Sequence, residues 1–430
     1  MTLLSLKNPA PANRRDLSDP LRSFRSRFYI PEKTVYMDGN SLGLLSSDGE
    51  ASLGRVIGEW RRLGIRGWLD AGRPWFRMAE EIGEMASGLV GAAPGELVVS
   101  GGTTVNIHAL VSTFFQPRRG RSKILADALN FPSDTYALQG QLRLHGLDPA
   151  DHLILAPGRD GRLLDEETIV SLMGPEVALI WLPSVLYASG QLLDMEGLTR
   201  EAHQRGIEIG FDCSHSAGAV PHRLHEWGVD FATFCGYKYL NGGPGSPAFL
   251  YVHQRHFDRH PMLPGWFGYV KDRQFDMSPE FDHARSAGGW QISTPGIIGM
   301  AAMEGSLRLF REAGMEALRE KSLALTGYLM ELVDACLPGG PDGFAIVTPR
   351  EADRRGGHVA LAHPTEALRI NEALKARGII PDFRGPDTIR IAPVPLYNTF
   401  GEVWQVVRAL KEIMETREYE RFPNQRHAVS

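Results

Sequence analysis

The chain contains few cysteines, and none of them is spaced as a metal or redox site. Cys213, Cys235 and Cys336 are the three cysteines among 430 residues, and no two of them form a CxxC motif. An odd number without such a motif predicts neither a disulfide framework nor a zinc site, and a reducing compartment is the default. We therefore expect a cytoplasmic protein without a metal centre.

Long hydrophobic runs and an excess of basic charge are also absent. No window approaches the roughly 18 apolar residues that cross a bilayer, and the apolar run after Met1 is too short for a signal peptide. Arginine and lysine number 46 against 51 acidic residues, which gives a net charge of -5. Because nucleic-acid binding needs a concentrated basic face, neither a nucleic acid nor a membrane is an expected partner.

The chain does contain a regular alternation of apolar strands and amphipathic helices. Hydrophobic residues make up 43% and charged residues 23%, as in soluble globular enzymes, and the length favours two domains. The predicted strands of the first domain are Leu97–Ser100, Lys123–Ala126, His152–Leu155, Val177–Pro183, Glu208–Asp212, Phe231–Cys235 and Ala248–Val252. This order predicts an α/β fold in which a mostly parallel seven-stranded sheet lies between helices.

The pattern changes after a long helical stretch from about Ile297 to Leu337. The shorter strands and helices that follow are typical of a smaller α+β domain. We therefore divide the chain into three parts. We expect an N-terminal arm at residues 1–60 that packs on the small domain, a large domain at 61–310, and the small C-terminal domain at 311–430.

Two polar residues near the ends of predicted buried strands indicate the chemistry. Asp212 ends one strand, and Lys238 follows the next one between Tyr237 and Tyr239, before a glycine-rich turn. Pyridoxal phosphate requires this pairing, because a carboxylate keeps its pyridine nitrogen protonated and a lysine forms a Schiff base with its aldehyde. The alternatives are a surface carboxylate and a solvent-facing lysine, but the apolar flanks favour burial.

Two loops after predicted strands supply further candidate contacts. Thr103 and Thr104 follow two glycines and open a helix, whose N–H groups and hydroxyls would hold a phosphate. An ordinary threonine-capped turn is the alternative. In the second loop Phe131 would lie flat on the pyridine ring, and Asp134 would either accept a hydrogen bond near the ring or cap the following helix.

Several other residues have two interpretations each. His215 either contacts the cofactor or Asp212, or is a satisfied structural histidine, and Tyr237 would reach the cofactor phosphate or a reacting oxygen. Arg390 offers a bidentate grip to a substrate carboxylate, or forms a structural ion pair. His222 and His225 have helical spacing but no evident third ligand, so we interpret them as residues that bind no metal.

Taken together, these segments resemble the kynureninase family, the pyridoxal-phosphate hydrolases of tryptophan breakdown. The matches run in family order from near residue 36 to near 400, and include the sequences DGNSLG at 38–43, FPSD at 131–134 and APVPLYN at 392–398. The resemblance implies fold type I of the pyridoxal-phosphate enzymes, as in the class V aminotransferases. It also implies a homodimer whose active site lies at the subunit interface.

The resemblance further implies roles for matching residues. Lys238 is expected to be the Schiff-base lysine and proton shuttle, and Tyr237 and Asp212 are the other expected catalytic residues. The expected cofactor contacts are Thr103, Thr104, Phe131, Asp134, Asp212, His215, Tyr237, Lys238, Trp266 and Thr294. Trp266 and Thr294 would reach in from the neighbouring subunit. The expected substrate contacts are Arg390, which would bind the carboxylate, Ser41 and Trp68.

Three positions differ from the animal-type members of that family. Ala188 stands where those members carry a tyrosine that contacts the phosphate, and Trp68 and Thr294 stand where they carry histidine and asparagine. In these positions the chain resembles the bacterial type, which favours kynurenine itself. Trp68 and Thr294 offer fewer polar groups to a ring hydroxyl, which is consistent with this preference. We expect hydrolysis of the Cβ–Cγ bond of L-kynurenine to anthranilate and L-alanine, with 3-hydroxy-L-kynurenine a weaker substrate. The associated pathways are tryptophan catabolism and NAD biosynthesis.

Two other functions stay open at this point. A cysteine desulfurase-like lyase of the same fold needs a nucleophilic cysteine on a loop after the lysine. Cys336 is the only cysteine beyond Lys238, and it ends an apolar helix, where packing is favoured. A non-catalytic ligand-sensing protein of this fold usually lacks the lysine or carries a DNA-binding domain, and this chain has Lys238 and no spare length for a helix-turn-helix.

Overall fold

The computed structural model describes residues 6–337, 339–340 and 343–425. Its strands are β1 Val35–Tyr36, β2 Leu97–Ser100, β3 Lys123–Asp127, β4 Leu153–Ala156, β5 Gly158–Arg159, β6 Leu163–Leu164, β7 Val177–Pro183, β8 Glu208–Asp212, β9 Phe231–Cys235, β10 Ala248–Val252, β11 Ala345–Ile346, β12 Val359–Ala362, β13 Ile379–Ile380, β14 Asp382–Arg384 and β15 Thr388–Ile391. Its α-helices are α1 Ala10–Ser18, α2 Ser47–Leu63, α3 Gly67–Asp70, α4 Met78–Val90, α5 Thr103–Phe114, α6 Pro132–Leu144, α7 Pro149–His152, α8 Glu166–Ser171, α9 Met195–Gln204, α10 Leu224–Trp227, α11 Ile297–Ala313, α12 Met315–Cys336, α13 Ala367–Ala376 and α14 Phe400–Thr416.

The central sheet has seven strands in the order β2-β10-β9-β8-β7-β3-β4. All neighbours are parallel except β10, which runs antiparallel to both β2 and β9. The strands β9 and β10 are buried along their whole length, as expected for a sheet covered by helices on both faces. The prediction of a mostly parallel seven-stranded α/β sheet is therefore confirmed.

The direction of these strands brings the loops after β2, β3, β7, β8 and β9 to one edge of the sheet. Asp212 pairs with Pro183 on one side and with Thr233 on the other, so the ends of three neighbouring strands lie side by side. In open α/β sheets, ligands bind outside this carboxyl edge. The loops that carry the candidate residues therefore meet there.

The helical stretch predicted from Ile297 to Leu337 is present as two helices, α11 and α12, which are separated at Gly314. Gly314 has a φ of 78°, a conformation that glycine adopts readily and other residues do not. Apolar residues recur at helical spacing on both sides of the break, and for this reason periodicity alone did not reveal it.

The C-terminal part contains a four-stranded antiparallel sheet in the order β11-β12-β15-β14. A second hydrophobic core lies here between the sheet and α12, α13 and α14, apart from the larger core around the seven-stranded sheet. Helix α1 packs on α14 and β1 pairs with β13, whereas Phe24 and Phe28 of the N-terminal segment belong to the larger core. The arm thus contacts both cores, and the boundaries at 60 and 310 stay predictions.

No helix within the described ranges combines the length and the apolar character that crossing a bilayer requires.

Candidate functional site

A cavity of about 500 Å³ opens at the carboxyl edge of the seven-stranded sheet, between the two cores. Its lining residues are Asn40, Ser41, Gly102, Thr103, Thr104, Val105, Phe131, Ser133, Tyr187, Asp212, Ser214, His215, Tyr237, Lys238, Gly245, Ser246, Arg384 and Arg390. We call this cavity the cleft. Nine of the predicted site residues line it, although they come from segments up to 349 residues apart in the sequence, the separation of Ser41 and Arg390.

Lys238 and His215 are in direct contact in the cleft. The Nζ atom of Lys238 lies 3.0 Å from Nε2 of His215. Burial, followed by the charge of Lys238, lowers the pKa of His215 well below its usual value. His215 is therefore a neutral hydrogen-bond partner of the lysine amine. Of the alternatives for His215, contact with the reacting groups of the cleft is the one the geometry favours over a purely structural role.

Asp212 lies at the end of β8, where its Oδ1 accepts a hydrogen bond of 2.8 Å from the N–H of Ser214. Burial raises its pKa, and the charge of Lys238 opposes that rise. Behind it lies the fully buried Asp134, whose Oδ2 accepts a hydrogen bond of 2.9 Å from Nε1 of Trp181. Burial and the charge of Asp212 hold the pKa of Asp134 well above its usual value.

The contacts of Asp134 do not fit the alternative that this residue caps α6. Asp134 stands in the first turn of α6, but the N-cap residue Phe131 makes no side-chain cap, and Asp134 points to Trp181 and Asp212. Since two adjacent buried carboxylates repel each other, one of them holds a proton unless a cation joins them. Asp212 faces the cleft, so a cationic N–H group placed there would favour its ionised form.

The N-terminus of α5 faces the cleft without a side-chain cap. Gly102 is the N-cap residue, so neither threonine caps the helix, and Thr103 and Thr104 line the cleft instead. The free N–H groups of the first turn and the two hydroxyls form a site suited to an anion such as phosphate. Tyr237 lines the same cleft, and burial raises the pKa of its hydroxyl, which keeps it protonated as a donor.

Phe131 forms another wall of the cleft. Its ring is 43% exposed, and the Nζ atom of Lys238 lies 6.0 Å from the ring centroid. The ring of Tyr187 meets it edge to face, with 5.2 Å between centroids. A flat aromatic ligand next to Lys238 would therefore have a ring face to pack against.

Arg390 forms the structural ion pair that the sequence left open, and its binding of a substrate carboxylate stays a prediction. It is 1% exposed, and it forms an ion pair with Asp382, which also accepts a hydrogen bond of 2.6 Å from its Nε. Its Nη1 donates to the backbone oxygen of Tyr187 at 2.7 Å, and its Nη2 to Oγ of Ser41 at 3.1 Å. It is a structural ion pair that also lines the cleft.

Four predicted residues do not line the cleft of the single chain, and one of them, Asp134, lies behind Asp212. Trp68 packs on Trp75 and Phe267, with ring centroids 6.0 Å from each. Trp266 is 42% exposed, and Thr294 is exposed as well. Their entry into a site from the neighbouring subunit stays a prediction.

The sequence analysis did not predict Tyr187, Asp382 and Arg384 as residues of the site. Asp382 and Arg384 alternate on β14, and Asp382 lies opposite Arg390 on β15, so the three charged side chains lie together. The alternation of charged residues in two short neighbouring strands was the available signal. Which strand pairs with which was not visible in the sequence.

A separate histidine cluster lies at the opposite edge of the sheet. Ligand atoms of Glu96, His225 and His253 lie within 4.8 Å of one another. Glu96 already accepts hydrogen bonds from the N–H groups of Ala93 at 2.8 Å and Gln254 at 2.7 Å, and its Oε1 lies 2.9 Å from Nδ1 of His225. These hydrogen bonds explain how the carboxylate of Glu96 can be buried. His222 is outside the cluster and contacts Oγ of Ser216 at 2.8 Å.

Sequence comparison identifies close relatives across nearly the whole length. The chain is 54% identical over 419 residues to a protein named kynureninase from Geobacillus thermodenitrificans, with 97% of each chain covered. It is 53% identical over 415 residues to a kynureninase from Bacillus thuringiensis, with 96% of each covered. Residues 318–410 match the model of the kynureninase C-terminal domain. The chain belongs to the kynureninase family.

Solved structures add the fold of this kynureninase-family chain. A cysteine desulfurase from Thermococcus onnurineus superimposes with a TM-score of 0.77 at 20% identity, covering 92% of this chain and 98% of the other. A mutant of C-DES with glycine covalently linked to its PLP cofactor gives a TM-score of 0.78 at 16% identity, covering 90% and 99%. These likenesses confirm the predicted fold of the pyridoxal-phosphate enzymes.

The cysteine desulfurase alternative is not favoured within that fold. The two kynureninases are 54% and 53% identical to this chain, whereas two cysteine desulfurase structures are 20% and 18% identical. Cys336 is the last residue of α12, packs against the smaller core and does not line the cleft. Burial raises the pKa of its thiol, which disfavours the nucleophilic thiolate.

Proposed function

We propose that this chain is a kynureninase that uses pyridoxal phosphate to hydrolyse the Cβ–Cγ bond of L-kynurenine, giving anthranilate and L-alanine. One observation carries the proposal. In this chain, which is 54% identical to a kynureninase over 419 residues, Lys238, His215 and Asp212 line a single cleft. A lysine amine, a buried carboxylate and an anion site in one cavity are the groups that this cofactor requires.

The cleft residues fit that cofactor. Asp212 would pair with the pyridine nitrogen, the first turn of α5 with Thr103 and Thr104 would hold the phosphate together with Tyr237, and Phe131 would pack on the ring. Asp134 supports Asp212 from behind. The bound cofactor supplies an electron sink for the carbanions that form next to the substrate amine.

The chain itself supplies the proton transfers. The amine of Lys238, once free, takes the proton from the α-carbon of the substrate and returns one. His215 lies 3.0 Å from that amine and stays neutral, so it orients the amine without adding a charge. Tyr237 stays protonated and is placed to relay a proton during the addition of water to the γ-carbonyl.

Substrate recognition depends on the wall of the cleft that Arg390 and Ser41 form. Arg390 and Ser41 hold the α-carboxylate of the substrate. Trp68 and Thr294 act at the far end, where they offer little to a hydroxyl on the aromatic ring. L-kynurenine is accordingly the preferred substrate, and 3-hydroxy-L-kynurenine the weaker one. We propose that the reaction takes place in the cytoplasm and serves tryptophan catabolism, with NAD biosynthesis as the alternative pathway.

The functional unit is a homodimer. Large apolar side chains are exposed in the same segments that carry Trp68, Trp266 and Thr294: Trp60 at 61%, Ile65 at 80%, Leu69 at 72%, Phe275 at 74% and Met277 at 69%. Exposed apolar patches of this kind mark interaction surfaces. A second subunit placed here would bring Trp266 and Thr294 to its neighbour's cleft.

The test is to follow anthranilate fluorescence after adding L-kynurenine and 3-hydroxy-L-kynurenine separately to the cofactor-loaded protein. We expect turnover of both, with the higher kcat/KM for L-kynurenine. Sulfide release from L-cysteine, measured in parallel, tests the desulfurase alternative. Sulfide release without anthranilate formation would contradict the proposal.

A further inference from the structure

Two arginines share one carboxylate at the wall of the cleft that faces the smaller core. Asp382 and Arg384 project from the same face of β14, and Asp382 lies opposite Arg390 on β15. Asp382 is 1% exposed and contacts both guanidinium groups, at 2.6 Å from Nε of Arg390 and 3.0 Å from Nε of Arg384. Both arginines line the cleft.

Arg390 has few donors left for a ligand. A guanidinium carries five N–H groups. Those of Arg390 already reach Asp382 from Nε and Nη2, the backbone oxygen of Tyr187 and Oγ of Ser41. A two-pronged grip on a carboxylate by Arg390 alone would require breaking one of these contacts.

Arg384 is in the opposite situation. Its side chain is 27% exposed, and its ion pair with Asp382 has 3.0 Å between Nε and Oδ2. The Nε–H itself is buried and makes no hydrogen bond to any described residue. No hydrogen bond of its terminal nitrogens is found among the residues that the structure describes, and the side chain lines the same cavity as Lys238. The charge of Asp382 holds the guanidinium beside the cleft, and its fork, the geometry that matches a carboxylate, is available to a ligand.

We propose that Arg384 is a second residue that binds the α-carboxylate of the substrate, with Asp382 orienting Arg384 and Arg390 together. This inference rests on the proposed function, since it names a further contact for that substrate. A purely structural Arg384, present only to neutralise Asp382, is the competing explanation. The two differ in whether the benefit of Arg384 depends on a negative charge on the ligand.

The experiment compares L-kynurenine with its α-carboxamide, which has the same shape without the charge. In Arg384→Gln, we expect kcat/KM for L-kynurenine to fall by about 10-fold or more, mainly through KM, because charge-assisted hydrogen bonds contribute on that scale. The value for the carboxamide should stay within about twofold. Arg384→Lys, which keeps the charge but loses the fork, should fall between.

Binding provides a readout that does not depend on turnover. The dissociation constant of L-alanine, followed by the cofactor absorbance, should rise in Arg384→Gln, while that of L-alaninamide should not. Arg350→Gln is the matched control, since Arg350 pairs with Asp334 on the surface and should change neither value. Equal losses for charged and uncharged ligands, or no loss for either, would overturn the role of Arg384. Failure of the wild-type protein to produce anthranilate would instead refute the proposed function.

Discussion

The amine of Lys238 lies 3.0 Å from Nε2 of His215, and that histidine is kept neutral by its burial and by the lysine itself. A neutral imidazole in this position orients the amine by a hydrogen bond. It does not titrate near neutral pH. We therefore expect His215 to act by positioning the amine of Lys238.

The first prediction concerns this contact. His215→Gln retains a polar partner for Lys238 and should lose about 10-fold or less in kcat, whereas His215→Leu should lose about 100-fold, in the range of positioned proton-transfer groups. The profile of kcat between about pH 6 and pH 8 should have the same shape in the wild type and in His215→Gln. A limb near the ordinary histidine pKa that disappears in His215→Gln would show that His215 titrates during turnover.

The second prediction concerns Asp212. Asp212→Asn removes the negative charge that we propose pairs with the pyridine nitrogen of the cofactor, so kcat should fall by about 100-fold or more while the cofactor still binds. Rapid-quench measurement of anthranilate reports the rate of the reaction, and the cofactor content after dialysis reports cofactor binding. Together they separate a slower reaction from a loss of cofactor. Asp134→Asn is the companion variant, and its smaller loss is expected because Asp134 acts through Asp212. Equal losses of kcat in Asp212→Asn and Asp134→Asn would contradict the prediction that Asp134 acts through Asp212.

The third prediction is a pH dependence of stability at His222, which is 4% exposed and bonded to Ser216. Burial lowers the pKa of His222 to about 4, whereas the unfolded chain takes up this proton near pH 6.5. The unfolded state thus binds more protons between these values, so the free energy of unfolding falls as the pH drops. The loss of unfolding free energy that comes from His222 reaches about 3 kcal/mol near pH 4.

His222→Gln should flatten this part of the profile. Urea unfolding at pH 7 and at pH 5 measures it, and the difference between the two should shrink in the variant. The exposed His145 provides a control, since His145→Gln should leave the difference unchanged. An unchanged difference in His222→Gln would contradict the assignment.

The fourth prediction concerns the break between α11 and α12. Gly314→Ala should destabilise the fold by about 1 kcal/mol or more, because alanine does not tolerate a φ of 78°. Gly88→Ala, in the exposed part of α4 with no atom within 4 Å of the added methyl, should stabilise by about 0.5 to 1 kcal/mol. Thermal unfolding of both variants tests the contrast. Stabilisation by Gly314→Ala would contradict the break and indicate that α11 and α12 form one helix in solution.

Much of the fold was predictable, because buried parallel strands appear as continuous apolar runs. The strand that ends at Asp212 and the one before Lys238 were found for this reason, and their neighbouring ends explain why the two side chains share a cleft. The break at Gly314 was not predictable, since the apolar period continues across it. The contacts of Arg390 with Asp382 and Tyr187 depend on tertiary strand pairing and an interdomain approach, which no local pattern records.

The most direct test of the central claim is to identify the residue that carries the cofactor. Borohydride reduction of the loaded protein, followed by proteolysis and mass spectrometry, should find the pyridoxyl group on Lys238. Lys238→Ala should lack both this label and the turnover of L-kynurenine. A label on another lysine, or full activity in Lys238→Ala, would contradict the assignment of the cleft.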